Sequence, residues 1–274
     1  MSIKLHLESF YDHFTRYQRP NYIKWTKEET NLSVYTDSFV WGNIKENSIA
    51  LILEPRSIQP DVCDSMRDNY RKFKHVFTHD SYLLDKLPNA KPIYFGGVWS
   101  VEPREKTKAI SMPCSHKMMC PMHRIRHQVA DYCLRAGKAD TFGRFNGGEY
   151  VKNNKIFGPY MFTIVIENYI DDIYFTEKIC NALAAKTIPI YWGARDIGQF
   201  FDSDGIVQVN CLRDILKIID TYTLEDYRRE YEARKAAVNR NYVLVQNYRC
   251  FEDNFYMNYG DLLHKMNGED KKIW

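Results

Sequence analysis

The triplet Thr176-Glu177-Lys178 stands where a helix is expected to begin, and its residue types suit an anion site. Thr176 is a good N-cap, so Glu177 and Lys178 fall in the first helical turn. Free N–H groups and the positive end of the helix dipole attract a diphosphate there, and a Lys strengthens that attraction. Glu177 can accept hydrogen bonds from ribose hydroxyls. The residues alone leave two interpretations open: a nucleotide site, or an exposed turn in which Lys178 is solvated.

The elements that position this triplet follow a β-α-β pattern. YMFTIVIEN predicts a strand, TEKICNALAAK a helix, and TIPIYW a strand buried on both faces. The same alternation begins near Ser48 with the strand SIALILEP and is interrupted by the charged segment EPREKTK at 102–108. We therefore predict two α/β domains, at 1–104 and 105–274, the second ending in one or two long helices.

Composition limits the class of protein. The chain has 274 residues, 45% of them hydrophobic, which is enough to bury a core, and its net charge of +3 is too small for a nucleic-acid-binding protein. Seven cysteines without a secreted-scaffold spacing indicate reduced thiols. The first twenty residues contain no apolar signal region, and no apolar run reaches the roughly 18 residues of a transmembrane span. We expect a cytoplasmic protein without a transmembrane segment; the sequence does not indicate its oligomeric state.

The segment TIVIENYIDDIYFTEKICNALAAKTIPIYWG resembles the donor-binding motif of the family 10 glycosyltransferases, the α-1,3/1,4-fucosyltransferases. The family pattern runs through Glu-Asn, a short loop, Tyr-x-Thr-Glu-Lys, an apolar helix and Thr-Ile-Pro-Ile-Tyr-Trp-Gly. The matching positions occur in the same order: Glu167-Asn168, Tyr174, Thr176–Lys178 and Thr187–Gly193. Upstream, CPMHRIRHQVADYCLRAGKADTFGR is similar to the family segment that carries a phosphate-binding Arg, and Arg124 is placed at that position.

The resemblance implies two Rossmann-like domains of the GT-B type that face a cleft, with the donor held by the C-terminal domain. It implies that Asn168 and Tyr174 lie near the nucleotide sugar and that Glu177 contacts the ribose. Lys178 and Arg124 are expected on the diphosphate. Fixed cations there stabilise the charge that develops on the leaving group, so no metal cofactor is required. The partners are then a nucleotide sugar and a glycan acceptor.

Family members invert the anomeric centre, so a carboxylate of the N-terminal domain should take the proton from the acceptor hydroxyl. Glu54, at the end of the strand in ALILEPRS, resembles the Glu of the family's Glu-Ser-Pro-like segment and is the candidate base. Asp80 and Asp37 are the alternatives.

Two departures from the family pattern leave the donor open. Tyr169 replaces the Ser or Thr that follows Glu-Asn, and Lys186 replaces the small residue often found before Thr-Ile-Pro-Ile. Fucose is the default sugar, and UDP-xylose is an alternative donor. Because the N-terminal match is weak, a non-catalytic protein that binds a nucleotide sugar or a glycan is a further alternative.

Two other patterns suggest metal sites. Cys114, His116, Cys120, His123 and His127 supply enough ligands for zinc, but their spacing fits no standard zinc module, and His116 and His123 could instead lie near the phosphates. FDSDG, at 201–205, contains an Asp-x-Asp triplet of the metal-binding kind, although its composition favours a turn.

Overall fold

Two compact α/β units divide the chain. The computed structural model describes residues 2–9 and 18–269. One unit comprises Met1–Phe95 and Cys250–Trp274, and the other comprises Gly96–Arg249. Both are built on parallel sheets, which confirms the predicted fold class of two Rossmann-like units.

The sheet of the first unit has six strands within the described residues, in the order β2-β1-β3-β4-β5-β6, and its pairs are parallel. Its elements up to residue 95 are β1 (Ile3–Glu8), β2 (Ile23–Thr26), β3 (Ser33–Thr36), β4 (Ser48–Ile52), α1 (Pro60–Asn69), β5 (His75–Thr78), α2 (Ser81–Lys86) and β6 (Ala90–Pro92).

The first three strands lie before Ser48, where the predicted alternation of strands and helices had not yet begun. Ile3, Leu5 and Leu7 alternate along β1 and are buried in the core. The period of two that marks a half-buried strand is therefore present in this segment.

The second unit holds five parallel strands in the part of the chain that the structure describes, in the order β11-β10-β9-β7-β8. Its elements are β7 (Lys108–Pro113), α3 (Pro121–Ala136), β8 (Asp140–Phe142), α4 (Asn153–Ile156), β9 (Tyr160–Ile166), α5 (Glu177–Ala184), β10 (Ile188–Trp192), β11 (Val207–Gln208), α6 (Leu212–Thr221), α7 (Leu224–Ala233) and α8 (Lys235–Leu244). Every residue of β9 is buried, as expected for a central parallel strand covered on both faces. The predicted strand–helix–strand around the Thr-Glu-Lys triplet is confirmed.

The unit boundaries differ from the prediction of 1–104 and 105–274. Residues 96–104 belong to the second unit because Trp99 N–H donates to Asn181 Oδ1 at 2.7 Å and Glu102 N–H donates to Asn154 Oδ1 at 2.8 Å. The last helix, α9 (Phe251–Met266), belongs to the first unit, because its apolar side chains, including Phe255, join that unit's core.

Among the described residues, no helix combines the length and the apolar character that crossing a membrane requires.

Candidate functional site

The second unit has a topological switch point between β7 and β9. The chain continues from β7 to β8 on one side of the sheet and from β9 to β10 on the other. In open parallel sheets, ligands bind outside the carboxyl ends of the strands at such a point. Two segments lie at this edge: the start of α3, which follows β7, and residues 167–178, which follow β9.

Lys178 is held at this edge by a buried carboxylate. Its Nζ lies 3.0 Å from Glu167 Oε2, 2.8 Å from Thr176 Oγ1 and 3.6 Å from Glu177 Oε1. Glu167 is fully buried and also accepts hydrogen bonds from the Thr176 N–H and hydroxyl, at 3.0 and 2.8 Å. The Thr176 hydroxyl accepts from the Lys178 N–H, so the predicted N-cap of α5 is confirmed. Lys178 keeps about a quarter of its side chain exposed.

The carboxylates around Lys178 keep it charged. Burial alone would lower its pKa, but the attraction of Glu167 and Glu177 outweighs burial and raises the pKa. Glu167 thus fixes the position of the ammonium and preserves its charge.

Gly193 allows this arrangement to close. A Cβ at this position would lie 2.2 Å from Tyr191 Oη and 2.7 Å from Glu167 Cγ. The Tyr191 hydroxyl accepts from the Ala194 N–H at 2.9 Å. The glycine that ends the Thr-Ile-Pro-Ile-Tyr-Trp-Gly segment is therefore required by the close approach of two site side chains.

The arginine beside Lys178 is Arg126, whereas the family resemblance places Arg124 at the phosphate-binding position. Arg126 is buried on α3, and its Nε and a terminal nitrogen donate to Ile166 O at 3.1 and 2.5 Å. Its charge lowers the pKa of Lys178, so the two cations are neighbours. Arg124 is exposed and lies roughly 200° away around the same helix, because α-helices have 3.6 residues per turn.

Arg126 and Lys178 are anchored on consecutive residues. Arg126 binds the carbonyl of Ile166, and Lys178 binds the carboxylate of Glu167, at the carboxyl end of β9. Two cations from different helices are thereby fixed at one edge of the sheet, which is an arrangement that suits a diphosphate.

His123, Arg126 and Lys178 form a basic cluster, in which His123 is neutral. Its Nδ1 accepts from the Met119 N–H at 3.1 Å, which places the ring proton on Nε2. Burial, together with the charges of Arg126 and Lys178, lowers the pKa of His123 to about 4. Of the two histidines that the sequence suggested near the phosphates, His123 lies beside these cations, whereas His116 is exposed in the loop before α3.

Asn168 and Tyr174 contact each other at the same edge. The Tyr174 hydroxyl donates to Asn168 Oδ1 at 2.5 Å, and the Tyr169 ring packs edge-on against Tyr174 at 6.1 Å. Tyr169, one of the two departures from the family pattern, therefore lies within the site. The other, Lys186, follows α5 at the end opposite Lys178, and its Nζ bonds to Asn239 Oδ1 at 2.9 Å. Lys186 therefore lies away from the Glu167–Lys178 pair.

In the first unit, Glu54 follows β4 and is half-buried. Its N–H donates to Asp37 Oδ1 at 3.0 Å. Asp80 is engaged elsewhere: it caps α2 by accepting from the Leu83 N–H and forms an ion pair with Arg56 at 2.9 Å. The fully buried Asp80 is thus a structural carboxylate and a poor candidate for a base.

Among the residues described, no three His, Cys, Asp or Glu side chains are placed to hold a metal ion. Cys120 Sγ donates to Asn168 O at 3.2 Å, and His127 Nε2 bonds to Ser115 O at 2.8 Å. The FDSDG segment forms a turn in which Asp202 accepts from the Asp204 N–H at 3.0 Å, as the composition predicted.

Comparison with known proteins places this architecture in a family. Residues 103–248 match the model of the carboxyl-terminal region of glycosyltransferase family 10 (fucosyltransferase). The α-(1,3)-fucosyltransferase FucT of Helicobacter pylori is 36% identical over 74 residues, which is 27% of this chain and 16% of the length of that relative.

Solved structures show the same fold. A crystal structure of an α1,3-fucosyltransferase with GDP superimposes with a TM-score of 0.52 at 13% identity, over 98% of this chain and 91% of that one. A second α1,3-fucosyltransferase structure gives a TM-score of 0.51 at 14% identity, over the same shares of the two chains. Because the family model spans more than half of the chain and matches the unit that carries the Glu167–Lys178 pair, the protein belongs to glycosyltransferase family 10, the fucosyltransferase family.

Proposed function

We propose that this protein is an inverting glycosyltransferase that moves a sugar, fucose by default, from a nucleoside diphosphate to a hydroxyl of a glycan. The observation that carries the proposal is the anchoring of Arg126 and Lys178 on Ile166 and Glu167 at the switch point of the second unit. A nucleoside diphosphate gains negative charge in the transition state as it leaves the sugar. A preorganised pair of cations therefore stabilises the transition state more than the bound donor.

The basic cluster leads us to propose transfer without a divalent metal. Arg126 offers a planar fork of N–H donors, and Lys178 offers a point charge fixed by Glu167. His123 stays neutral near pH 7 and can donate Nε2–H to a phosphate oxygen. These three donors supply the charge stabilisation that a metal provides in other sites.

For the remainder of the donor we propose that Glu177 accepts hydrogen bonds from the ribose and that Asn168 and Tyr174 contact the sugar. Glu177 lies in the first turn of α5 with about a fifth of its side chain exposed. The structural relative contains GDP, which makes a guanosine donor our first choice. The edge-on Tyr169 ring beside Tyr174 is the feature most able to change sugar preference, so UDP-xylose is tested in parallel.

For the acid–base chemistry we propose Glu54 as the general base. It follows a parallel strand at the carboxyl edge of the first sheet, where functional side chains of such folds lie. Removal of the acceptor proton as the new bond forms contributes about 10²- to 10⁴-fold to a rate.

The test is a transfer assay in EDTA with GDP-fucose or UDP-xylose and a panel of oligosaccharides that includes N-acetyllactosamine. Mass spectrometry identifies the product, and NMR compares its anomeric configuration with that of the donor. We expect one sugar added with inverted configuration, by wild type and not by Lys178→Met. Retained configuration would refute the mechanism, and binding of the donor without transfer to any acceptor would favour a non-catalytic protein.

A further inference from the structure

Asp37 occupies a strained position at the carboxyl edge of the first sheet. It follows β3, which lies between β1 and β4, so the switch point of this sheet falls between β1 and β3. Its φ of +45° is in the left-handed region, which residues other than Gly, Asn and Asp avoid. Backbone strain of this kind persists where surrounding contacts impose it, and it is concentrated at functional sites.

The contacts that hold Asp37 lead to the proposed base. A single oxygen, Asp37 Oδ1, accepts hydrogen bonds from the Leu53 N–H at 2.8 Å and from the Glu54 N–H at 3.0 Å. Asp37 is 8% exposed. The carboxylate therefore ties the end of β3 to the residues that follow β4, and it fixes the backbone from which the Glu54 side chain projects.

We propose that Asp37 is the positioning residue of the general base: its carboxylate fixes the backbone from which the Glu54 side chain projects. This inference rests on the proposed function, with Glu54 as the base. A base contributes to the rate only when it is held within hydrogen-bond reach of the acceptor proton, so a residue that fixes its backbone affects transfer without touching the substrate.

The pKa of Asp37 reflects its buried position. Burial raises the pKa of Asp37 to about 6, the two backbone N–H donors oppose the rise, and the charge of Glu54 adds to it. The neighbouring titratable group on α1 is Cys63, whose pKa is raised to about 12 mainly by burial and partly by Asp80 and Asp37. Asp80 forms an ion pair with Arg56 at 2.9 Å. The group that holds the Glu54 backbone is thus a buried carboxyl bound by two N–H donors.

The test compares Asp37→Asn with Asp37→Ala. Asn tolerates φ of +45° and keeps an acceptor for both N–H groups but carries no charge, whereas Ala removes the acceptor as well. Transfer from GDP-fucose is measured for kcat and for the KM of the donor at pH 8, together with the thermal midpoint of each variant.

We expect Asp37→Ala to lose at least tenfold in kcat with little change in the KM of the donor. Asp37→Asn keeps the acceptor and should therefore keep kcat within about threefold of wild type. A role of Asp37 in stability alone would lower the thermal midpoint of Asp37→Ala without lowering kcat of the folded protein. If Asp37→Ala does not fold, kcat of Asp37→Asn alone decides.

Two results would overturn the inference: wild-type kcat in a folded Asp37→Ala protein, or a loss of tenfold or more in kcat of Asp37→Asn. Either can occur while wild type transfers sugar and Lys178→Met does not, in which case the proposed function stands and the role of Asp37 falls. Absence of transfer by wild type with every donor and acceptor would instead refute the proposed function.

Discussion

The ammonium of Lys178 lies 3.0 Å from Glu167 Oε2, and this ion pair joins the first turn of α5 to the residue that follows β9. Glu167 is fully buried, and its other contacts are the N–H and hydroxyl of Thr176. The Thr-Glu-Lys triplet at a helix start is therefore explained by the buried carboxylate opposite it. Thr176 caps the helix and completes the carboxylate's hydrogen bonds, and Lys178 is positioned by it.

Glu167→Gln tests the energy of this pair. Removing one partner of a buried ion pair leaves the other uncompensated, and because Lys178 is partly exposed we expect a loss of about 3 kcal/mol, the low end for such pairs. Urea unfolding at pH 7 measures it. Lys235→Ala is the control, because it breaks an ion pair with Glu232 in which both side chains are more than half exposed. It should change the free energy of unfolding by less than about 1 kcal/mol. Equal effects of the two variants would contradict the account.

Arg126→Ala and Arg124→Ala form a matched pair on α3. Arg126 is buried beside Lys178 and Arg124 is exposed on another face. Calorimetric titration should therefore show GDP bound at least tenfold more weakly by Arg126→Ala and within twofold of wild type by Arg124→Ala.

Because Arg126 also binds Ile166 O, the thermal midpoint of Arg126→Ala is measured alongside its affinity for GDP. Arg126→Lys provides a second variant, which keeps the positive charge but lacks the planar fork of N–H donors. The reverse order of affinities, with Arg124→Ala the weaker binder, would support Arg124 as the phosphate-binding residue.

Gly193→Ala should disturb both stability and the site. The added Cβ would meet Tyr191 Oη and Glu167 Cγ at 2.2 and 2.7 Å, so one of these side chains must move. We expect a loss of at least about 2 kcal/mol in urea unfolding and weaker binding of GDP. Gly42→Ala, whose Cβ would lie 3.3 Å from Phe39 O, should change stability by less than about 1 kcal/mol. Full stability and affinity in Gly193→Ala would show that the close approach is not required.

Glu252 predicts a pH dependence in the first unit. It is fully buried, its Oε1 accepts from Trp25 Nε1 at 3.1 Å, and burial raises its pKa from 4.5 to about 7. The folded state then binds more protons than the unfolded state between these values, so this residue's contribution to stability is full below pH 4.5 and is lost as the pH rises towards 7.

Glu252→Gln removes that dependence. The free energy of unfolding of Glu252→Gln, taken relative to that of wild type, should increase by on the order of 3 kcal/mol as the pH rises from 4.5 to 8. Urea unfolding at several pH values measures this difference. A constant difference between the two proteins over this range would show that Glu252 does not titrate as described.

The sequence predicted the second unit well because its signals are local. The apolar runs of β9 and β10 and the cap at Thr176 each determine their own element. The choice between Arg124 and Arg126 depended on helix phase. Arg126 shares its face with Val129, Ala130 and Cys133, which are buried, and this spacing of three, four and seven residues was available in the sequence.

Long-range contacts were not predictable in the same way. The assignment of α9 to the first unit depends on a hydrogen bond from the Tyr259 hydroxyl to Pro92 O at 2.7 Å and on Phe255 packing against Phe77. Likewise, the spacing of Asp37 and Glu54 in the sequence does not show that Asp37 Oδ1 accepts hydrogen bonds from the Leu53 and Glu54 N–H groups, which follow β4.

The central claim is that the second unit binds a nucleoside diphosphate through Arg126 and Lys178. Calorimetric titration of wild type with GDP in EDTA tests it most directly, with UDP and the folded variants Arg126→Lys and Lys178→Met in parallel. We predict that GDP binds without metal, more tightly than UDP, and that both variants weaken it at least tenfold. Undiminished binding by these variants, or no binding of any nucleoside diphosphate by wild type, would contradict the account.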